Sequence, residues 1–488
     1  MSSKRFAFKA MVAAAVAAAS LGVVGQAHAA VTIIINNLNA PGVGFNDTTP
    51  AVPVGGNTGT TVGEQRLIAF TYAANIWGNT LTSTQPVVIN AQFTPLSCTA
   101  ASGVLGSAGA TSVFRDWGTG TLPKPATWYS YALANKMSGV YLGTANAAQI
   151  NANFNSDLGN PTGGTGGAGC LTTSSWYYGL DSNEPANGID FVAVLQHEMA
   201  HGLGFQTFTS GTTGAFLSGF PAIWDWYLFS VSAGDVWQNL TAAQRIASAI
   251  SVNGLVWNGP AVTAAAPSVL ASSPVVVVSG TAAGAAAGTY AAGEATFGPL
   301  PTLAGVSGTV MPVSEQTTGA GQGCETFNAA NTLAVNNRIA LISRGVCGFA
   351  VKVKNAQNAG AIGVIISDNV TAGISGLGGT DPTVTIPAVR VTLATGNAIR
   401  AQLTSRSRSR SGLVANITRD PTQLAGAGSL GRVLMYAPNP FQSGSSVSHF
   451  DVSASPNLLM EPSINPDLTQ LVAPPRDLTL PLFTDIGW

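Results

Sequence analysis

The sequence predicts an α+β fold of about two or three domains. Three observations predict it. The chain has 488 residues, several times the size of a common domain. Before residue 181 the pattern reads as a strand, a helix and then several strands, without a repeated βα unit. From Thr263 to Thr418 the texture changes to short Val/Ile strands punctuated by glycine, with a cysteine pair and no histidine of its own. That segment reads as a separate domain.

Residues 1–29 come first and read as a secretory signal peptide. Lys4, Arg5 and Lys9 form a positive end, and Ala10 to Val24 is an apolar run too short to span a bilayer. Ala27-His28-Ala29 is an A-x-A cleavage site, so the mature chain is expected to begin at Ala30. Val31 to Asn36 is rich in β-branched residues and predicts a strand. From Glu64 to Leu81 the residues Leu67, Phe70, Ala74 and Trp77 recur at spacings of three and four, which predicts a helix. Pro86 to Phe93 reads as a strand. A second helix is expected from Asp190, a good N-cap, to Gly202, with Val192, Leu195, Met199 and Gly202 on an inward face. Within 263–418, Val351 to Ala359 and Gly396 to Leu403 read as helices and Leu413 to Ile417 as a strand. From Arg419 to Trp488 the chain is rich in Pro, Asn and Ser and closes on a short apolar stretch.

Composition excludes several classes of function. Only 8% of residues are charged, the formal net charge is −1, and loss of the signal peptide leaves 17 basic against 21 acidic residues. No basic field for nucleic acid exists. The run Arg406-Ser-Arg-Ser-Arg410 has no interleaved aromatics and reads as a solvated loop. The Ala/Val-rich stretch from Ala261 to Ala295 is broken by Gly, Ser, Thr and Pro and carries Glu294, so no membrane span is expected.

The chemistry is concentrated in His197-Glu198-Met199-Ala200-His201. Residues four apart on a helix stand one above the other, so two imidazoles can reach one ion. Glu198 sits where it can accept a proton from water held beside that ion. Once the signal peptide is removed the chain holds three histidines, His197, His201 and His449, and two of them have this spacing. A catalytic zinc centre needs three protein ligands and one open position, which makes His449 the expected third. Asp451 or Glu461 is the alternative oxygen ligand, and Glu184 a remoter one.

His201-Gly202-Leu203-Gly204-Phe205 resembles the helix exit of the metzincin zinc peptidases. In their short signature the third histidine would fall at Thr207, a poor ligand. The chain is instead similar to the leishmanolysin type, where an insertion precedes the third histidine. Ser448-His449-Phe450-Asp451, Leu458-Leu459-Met460-Glu461-Pro462 and the closing Leu482 to Trp488 carry the likeness. The resemblance implies a twisted sheet with an active-site helix, His449 as third ligand, and Met460 in the methionine turn near the metal. Met435 is the weaker alternative for that turn.

Between His201 and His449 lie 247 residues. Within them, Gly323 to Phe327, Arg338 to Phe349, Lys352 to Gly360, Ala361 to Ile366 and Ile386 to Val391 resemble a protease-associated (PA) domain. That likeness implies a small α/β fold, a Cys324–Cys347 disulfide, and a role in binding substrate or a protein partner. With that pair taken, Cys98 is expected to bond Cys170, the alternative being a thiolate that blocks the metal in a precursor.

The expected organisation is therefore a signal peptide (1–29), a catalytic domain in two parts (30–262 and 419–488) and a PA domain inserted between them (263–418). The expected function is a secreted, extracellular or periplasmic zinc endopeptidase with one Zn2+, no other cofactor, and a protein or peptide substrate. Two other readings are a secreted binding protein with a structural metal site, and an exopeptidase with two zinc ions. Glu198 argues against the first, since a structural site has no use for a base. The second has more carboxylate ligands and no such histidine helix.

Overall fold

The computed structural model describes residues 30–314, 321–371, 374, 376–428, 430–465 and 467–488. The expected signal peptide lies outside the described residues. The first part of the chain builds a four-stranded sheet. Strand β1 (Ile33–Asn37) leads into helix α1 (Val62–Thr80), then β2 (Val87–Thr94) and β3 (Gly106–Ala110). Helix α2 (Tyr131–Ser138) and strand β4 (Ile150–Asn155) follow. The spatial order is β1-β2-β4-β3. The first three strands are parallel and β3 closes one edge antiparallel to β4.

Parallel β1 and β2 need a crossover, and α1 supplies it. This helix begins two residues before the expected Glu64 because Thr61 and Glu64 form a capping box. Its Ala69, Phe70, Ala73, Ala74 and Trp77 are buried, and the helix packs on β1 and on the helix that carries the paired histidines. The Trp77 indole N–H donates to the Gln196 carbonyl at 3.1 Å. On the other face of the sheet, Asn36, Asn90 and Asn151 lie in register and their amides form a hydrogen-bonded row. A polar row on that face leaves the apolar face directed at α1 and the motif helix α3 (Phe191–Leu203).

Helices α4 (Ala242–Ala249) and α5 (Pro260–Val269) were not legible in the sequence pattern. The short, Ala-rich α5 carries little periodicity, yet Val262, Ala266 and Val269 join the main core. Its first turn is held by Asp485, which accepts from the Ala261 and Val262 N–H groups at 2.7 and 3.2 Å. The strands of the inserted domain therefore begin at Ser272 rather than at residue 263.

The insert is a mixed eight-stranded sheet. Its strands are β5 (Ser272–Ser279), β6 (Gly288–Ala291), β7 (Gly293–Glu294), β8 (Val306–Pro312), β9 (Ile339–Ser343), β10 (Gly363–Ser367), β11 (Ala388–Val391) and β12 (Val414–Leu424). They lie in the order β6-β5-β12-β8-β9-β10-β11-β7. Helices α6 (Ala329–Val335), α7 (Phe349–Asn358) and α8 (Leu393–Ala401) accompany it. Two apolar clusters belong to the insert alone, apart from the main core. That independence is what a domain requires. Strand β12 runs on to Leu424, past the expected boundary at Thr418. The Arg406–Arg410 run lies in the loop between α8 and β12, with Arg408 and Arg410 exposed.

After the insert the chain returns to the main core through Val433, Met435, Phe450 and Leu458 to Met460, and ends with helix α9 (Thr479–Ile486). Two disulfides, Cys98–Cys170 and Cys324–Cys347, use all four cysteines. Among the described residues no helix is long and apolar enough to cross a membrane.

Candidate metal centre

Helix α3 carries the two motif histidines, and its buried surroundings fix their direction. Asp190 caps it, accepting from the Val192 and Ala193 N–H groups at 2.8 and 3.3 Å. Gly202 is required because a Cβ there would meet Ile150 on β4 at 2.3 Å. Gly204 takes φ +134, which ends the helix and turns the Phe205 carbonyl back to His201. Every residue of α3 except His201 is buried.

His449 arrives from the far side of the insert. Its carbonyl accepts from the Tyr436 N–H at 2.9 Å, and the next N–H, of Phe450, donates to the Met460 carbonyl at 2.8 Å. The fold thus brings His197, His201 and His449 together: their three Nε2 atoms form a triangle with sides of 3.2 Å. Each Nδ1 faces a backbone carbonyl: Leu459 at 2.8 Å, Phe205 at 2.8 Å and Ser445 at 2.7 Å. The Nδ1 atoms therefore carry the protons and the Nε2 lone pairs point at one another. Three converging lone pairs repel unless a cation sits among them. Zn–N bonds of about 2.0–2.1 Å at tetrahedral angles set nitrogens about 3.3–3.4 Å apart, so the triangle fits zinc. Burial holds His197 down at about 4 and His201 at about 3, and pushes His449 well below its usual range. All three are neutral near pH 7, the state that ligates metal.

Glu198 lies beside this triangle and is buried. Burial raises its carboxyl to about 8, partly offset by a hydrogen bond from the Ala108 backbone on β3. Gly106, also on β3, leaves the space that Glu198 fills, since a Cβ there would come within 2.8 Å of its Cγ and Oε1. Edge strand and helix are therefore matched in shape at the one residue expected to act as base.

Met460 is fully buried in the turn whose Leu459 carbonyl accepts from His197. Met435 pairs instead with Phe450 as a core residue. Glu461 and Asp451 do not join the histidine cluster. Glu461 accepts from the Leu458 N–H and the Asn465 amide, and Asp451 from Ser453. Thr207 is no ligand either, for its hydroxyl donates to buried Asp225 at 2.8 Å. Among the described residues the three histidines are the one group of three or more His, Cys, Asp or Glu placed to share an ion. Asp477 was missed by sequence reasoning. It accepts from the Leu459 N–H at 2.7 Å and so fixes the turn that orients His197. Nothing in its local sequence marks it, because its partner is a backbone group.

The three histidines and Glu198 border a cleft of 1380 Å³. Glu184, Asp190, Glu198 and Glu461 line it with the three histidines, and no Lys or Arg does so among the described residues. Asp190 is both cap and cleft wall, and two effects compete at its carboxyl. The helix N-terminus favours the anion, but burial dominates and raises its pKa from 3.8 to about 6. The folded state therefore disfavours the charge. That cost is absent below the unfolded pKa and complete above about 6. Asp190→Asn, which keeps the cap, is expected to raise unfolding free energy at pH 7.5 by about 1–2 kcal/mol and at pH 4 by nearly nothing. Urea titrations at the two pH values check this, and equal changes at both would contradict it.

Comparison with known proteins supplies one assignment. Residues 306–399 match the PA domain family. The insert contains a PA domain. A vacuolar-sorting receptor from Arabidopsis thaliana is 47% identical over 49 residues, which are 10% of this chain and 8% of the receptor. Solved structures with partial likeness include a zinc aminopeptidase from Bacillus subtilis (21% identity, TM-score 0.22, 31% of each chain). Others are an aminopeptidase from Aneurinibacillus sp. strain AM-1 (23%, 0.22, 31% of this chain and 32% of that one) and a subtilisin-like protease from a Pseudoalteromonas species (18%, 0.22, 31% and 34%). The likeness thus spans less than a tenth of the receptor and about a third of each solved structure. The PA domain carries the Cys324–Cys347 disulfide, and beside it the fully buried Lys352 ammonium donates to the Gln322 and Gly345 carbonyls at 2.6 Å each.

Proposed function

We propose that the protein is a secreted zinc-dependent endopeptidase of metzincin type. The observation that carries this reading is the 3.2 Å triangle of histidine Nε2 atoms with buried Glu198 next to it in one open cleft. His197, His201 and His449 would hold the ion. Zinc, when bound, supplies a Lewis acid that acidifies water and polarises a peptide carbonyl.

The chain's own residues do the rest. Glu198 takes one proton from the water as its oxygen bonds to the carbonyl carbon. The carboxyl then delivers that proton to the amide nitrogen as the C–N bond breaks, and returns to the carboxylate. Burial raises the free carboxyl to about 8, and a cation held by the three histidines would lower it toward the carboxylate, the form able to take a proton. The three Nδ1–H bonds to carbonyls hold the imidazoles in one tautomer. Strand β3, an edge of its sheet, borders the cleft through Gly106, Ser107 and Ala108, where an extended peptide can pair with its backbone. Two disulfides, one of them wholly buried in the main domain, suit an oxidising compartment and support the secreted location.

Purified protein is expected to degrade casein, to lose at least about 90% of that activity with a zinc chelator, and to regain it when zinc is restored. Casein left intact under all three conditions would favour the alternative, a PA-domain binding protein with a structural metal site.

A further inference from the structure

We infer that the PA domain forms one wall of the substrate cleft and supplies a subsite for the part of an extended peptide remote from the scissile bond. This rests on the peptide substrate proposed above. The wall is Thr296 together with Gly378, Gly379 and Thr380, which line the same cleft as the three histidines.

A continuous set of contacts ties this wall to the catalytic part. The Thr296 hydroxyl donates to the Gly379 carbonyl at 2.7 Å. The Leu377 N–H donates to the Glu294 carbonyl at 2.7 Å, and the Thr296 N–H to the Leu377 carbonyl at 3.0 Å. Gly376 is needed for this approach, since a Cβ there would lie 2.8 Å from the Glu294 carbonyl oxygen. The wall is therefore an extension of strand β7, and β7 carries the link to the main domain. The Glu294 carboxylate is paired with Arg419 and accepts from the Ser455 hydroxyl at 2.7 Å. Ser455 belongs to the segment between His449 and Met460. At the same place the Ala271 N–H donates to the Ser455 carbonyl at 2.7 Å, and the Ala425 N–H to the Ala271 carbonyl at 2.8 Å.

The chain entering the PA domain and the carboxylate that anchors its wall thus meet the segment that bears the third histidine, and the chain leaving the domain is bonded to the entering one beside them. A spacer domain would need none of this. Its joints would be exposed linkers, not a mostly buried ion pair hydrogen-bonded to the catalytic part. The wall itself offers backbone carbonyls, amides and small hydroxyls, which suit the main chain of a peptide better than any one side chain. Only a substrate long enough to reach from the histidines to the wall would use it.

The test compares two internally quenched peptides that share one cleavable core, taken from a casein digest. One has about five residues and the other about twelve, roughly 17 and 40 Å when extended. Both are assayed with wild type, Thr296→Val, which removes the hydroxyl bond with little change of shape, and Thr380→Trp, which fills the wall. In both variants kcat/KM for the long peptide is expected to fall at least about tenfold, with the short peptide within about twofold of wild type. A long-to-short ratio unchanged in both variants overturns the inference. Fluorescence anisotropy of the same peptides, unquenched, on the zinc-loaded proteins separates this from failure of the peptidase reading. If wild type cleaves neither peptide but binds the long one more weakly when the wall is altered, the wall stands and the peptidase reading falls. If no variant alters binding either, the wall falls too.

Discussion

Glu198→Gln is expected to lower kcat for casein or peptide by about 10²–10⁴-fold while leaving one zinc per chain. The two halves of this result have separate causes. The three Nε2 donors are untouched by the change, and their Nδ1 partners are backbone carbonyls that do not involve Glu198. Shape is also kept. Gln fills the space left by Gly106, and its amide oxygen can still accept from the Ala108 backbone. What disappears is the capacity to take a proton from water and return it to the amine. A loss of that size corresponds to about 3–5 kcal/mol in the barrier. The measurement is a progress curve for hydrolysis paired with metal analysis of the same sample. Hydrolysis within a few-fold of wild type, with zinc still bound, would remove Glu198 from the mechanism.

The second large effect concerns His449. His449→Ala leaves two donors, both on α3, and deprives the ion of the one ligand that the later part of the chain contributes. Loss of a partner that merely orients a ligand costs about 10–100-fold in metal affinity, so loss of the ligand itself is expected to cost more than about 100-fold. Stability reports the same change. At zinc about 1,000 times its dissociation constant, wild type gains about 4 kcal/mol, and the variant is expected to gain little of it. His449 is also buried and bonded to the Ser445 carbonyl, so the variant loses packing even without metal. The comparison is therefore the shift in unfolding midpoint on adding zinc, measured within each protein. Equal shifts would mean that His449 is no ligand and would return Asp451 and Glu461 to consideration.

The legible parts of this protein were those whose signal is local. His197 and His201 announce themselves by a four-residue spacing, and α1 by the period of Leu67, Phe70, Ala74 and Trp77. A separate domain was legible from its short apolar strands and glycine turns, its PA character only from the resemblance carried by segments such as Gly323 to Phe327 and Arg338 to Phe349, and residues 306–399 match that family. His449 could be grouped with the other two only because histidines are so few and the resemblance pointed to it; no spacing connects residues 248 positions apart. The carbonyls that orient the imidazoles belong to Leu459, Phe205 and Ser445, and carbonyls leave no trace in residue type. Gly106 looks like any other glycine until Glu198 is seen against it. Helix α5 was absorbed into the insert because its Ala-rich sequence gives the same texture as the Val/Ala strands that follow, and only its packing on Asp485 separates them.

The split of the main domain has a consequence in time as well as in space. A ribosome delivers the chain from its N-terminus. Helix α3 emerges with two of three ligands, and then the whole PA domain follows before His449 does. The PA domain has its own cores and can fold during that delay. The metal triangle cannot close until the turn at Leu459 and Met460 has also arrived, and α9 must still dock after it. The three-histidine arrangement is thus a property of a chain that has reached His449, and under the proposed function a copy ending before His449 would not hydrolyse peptide.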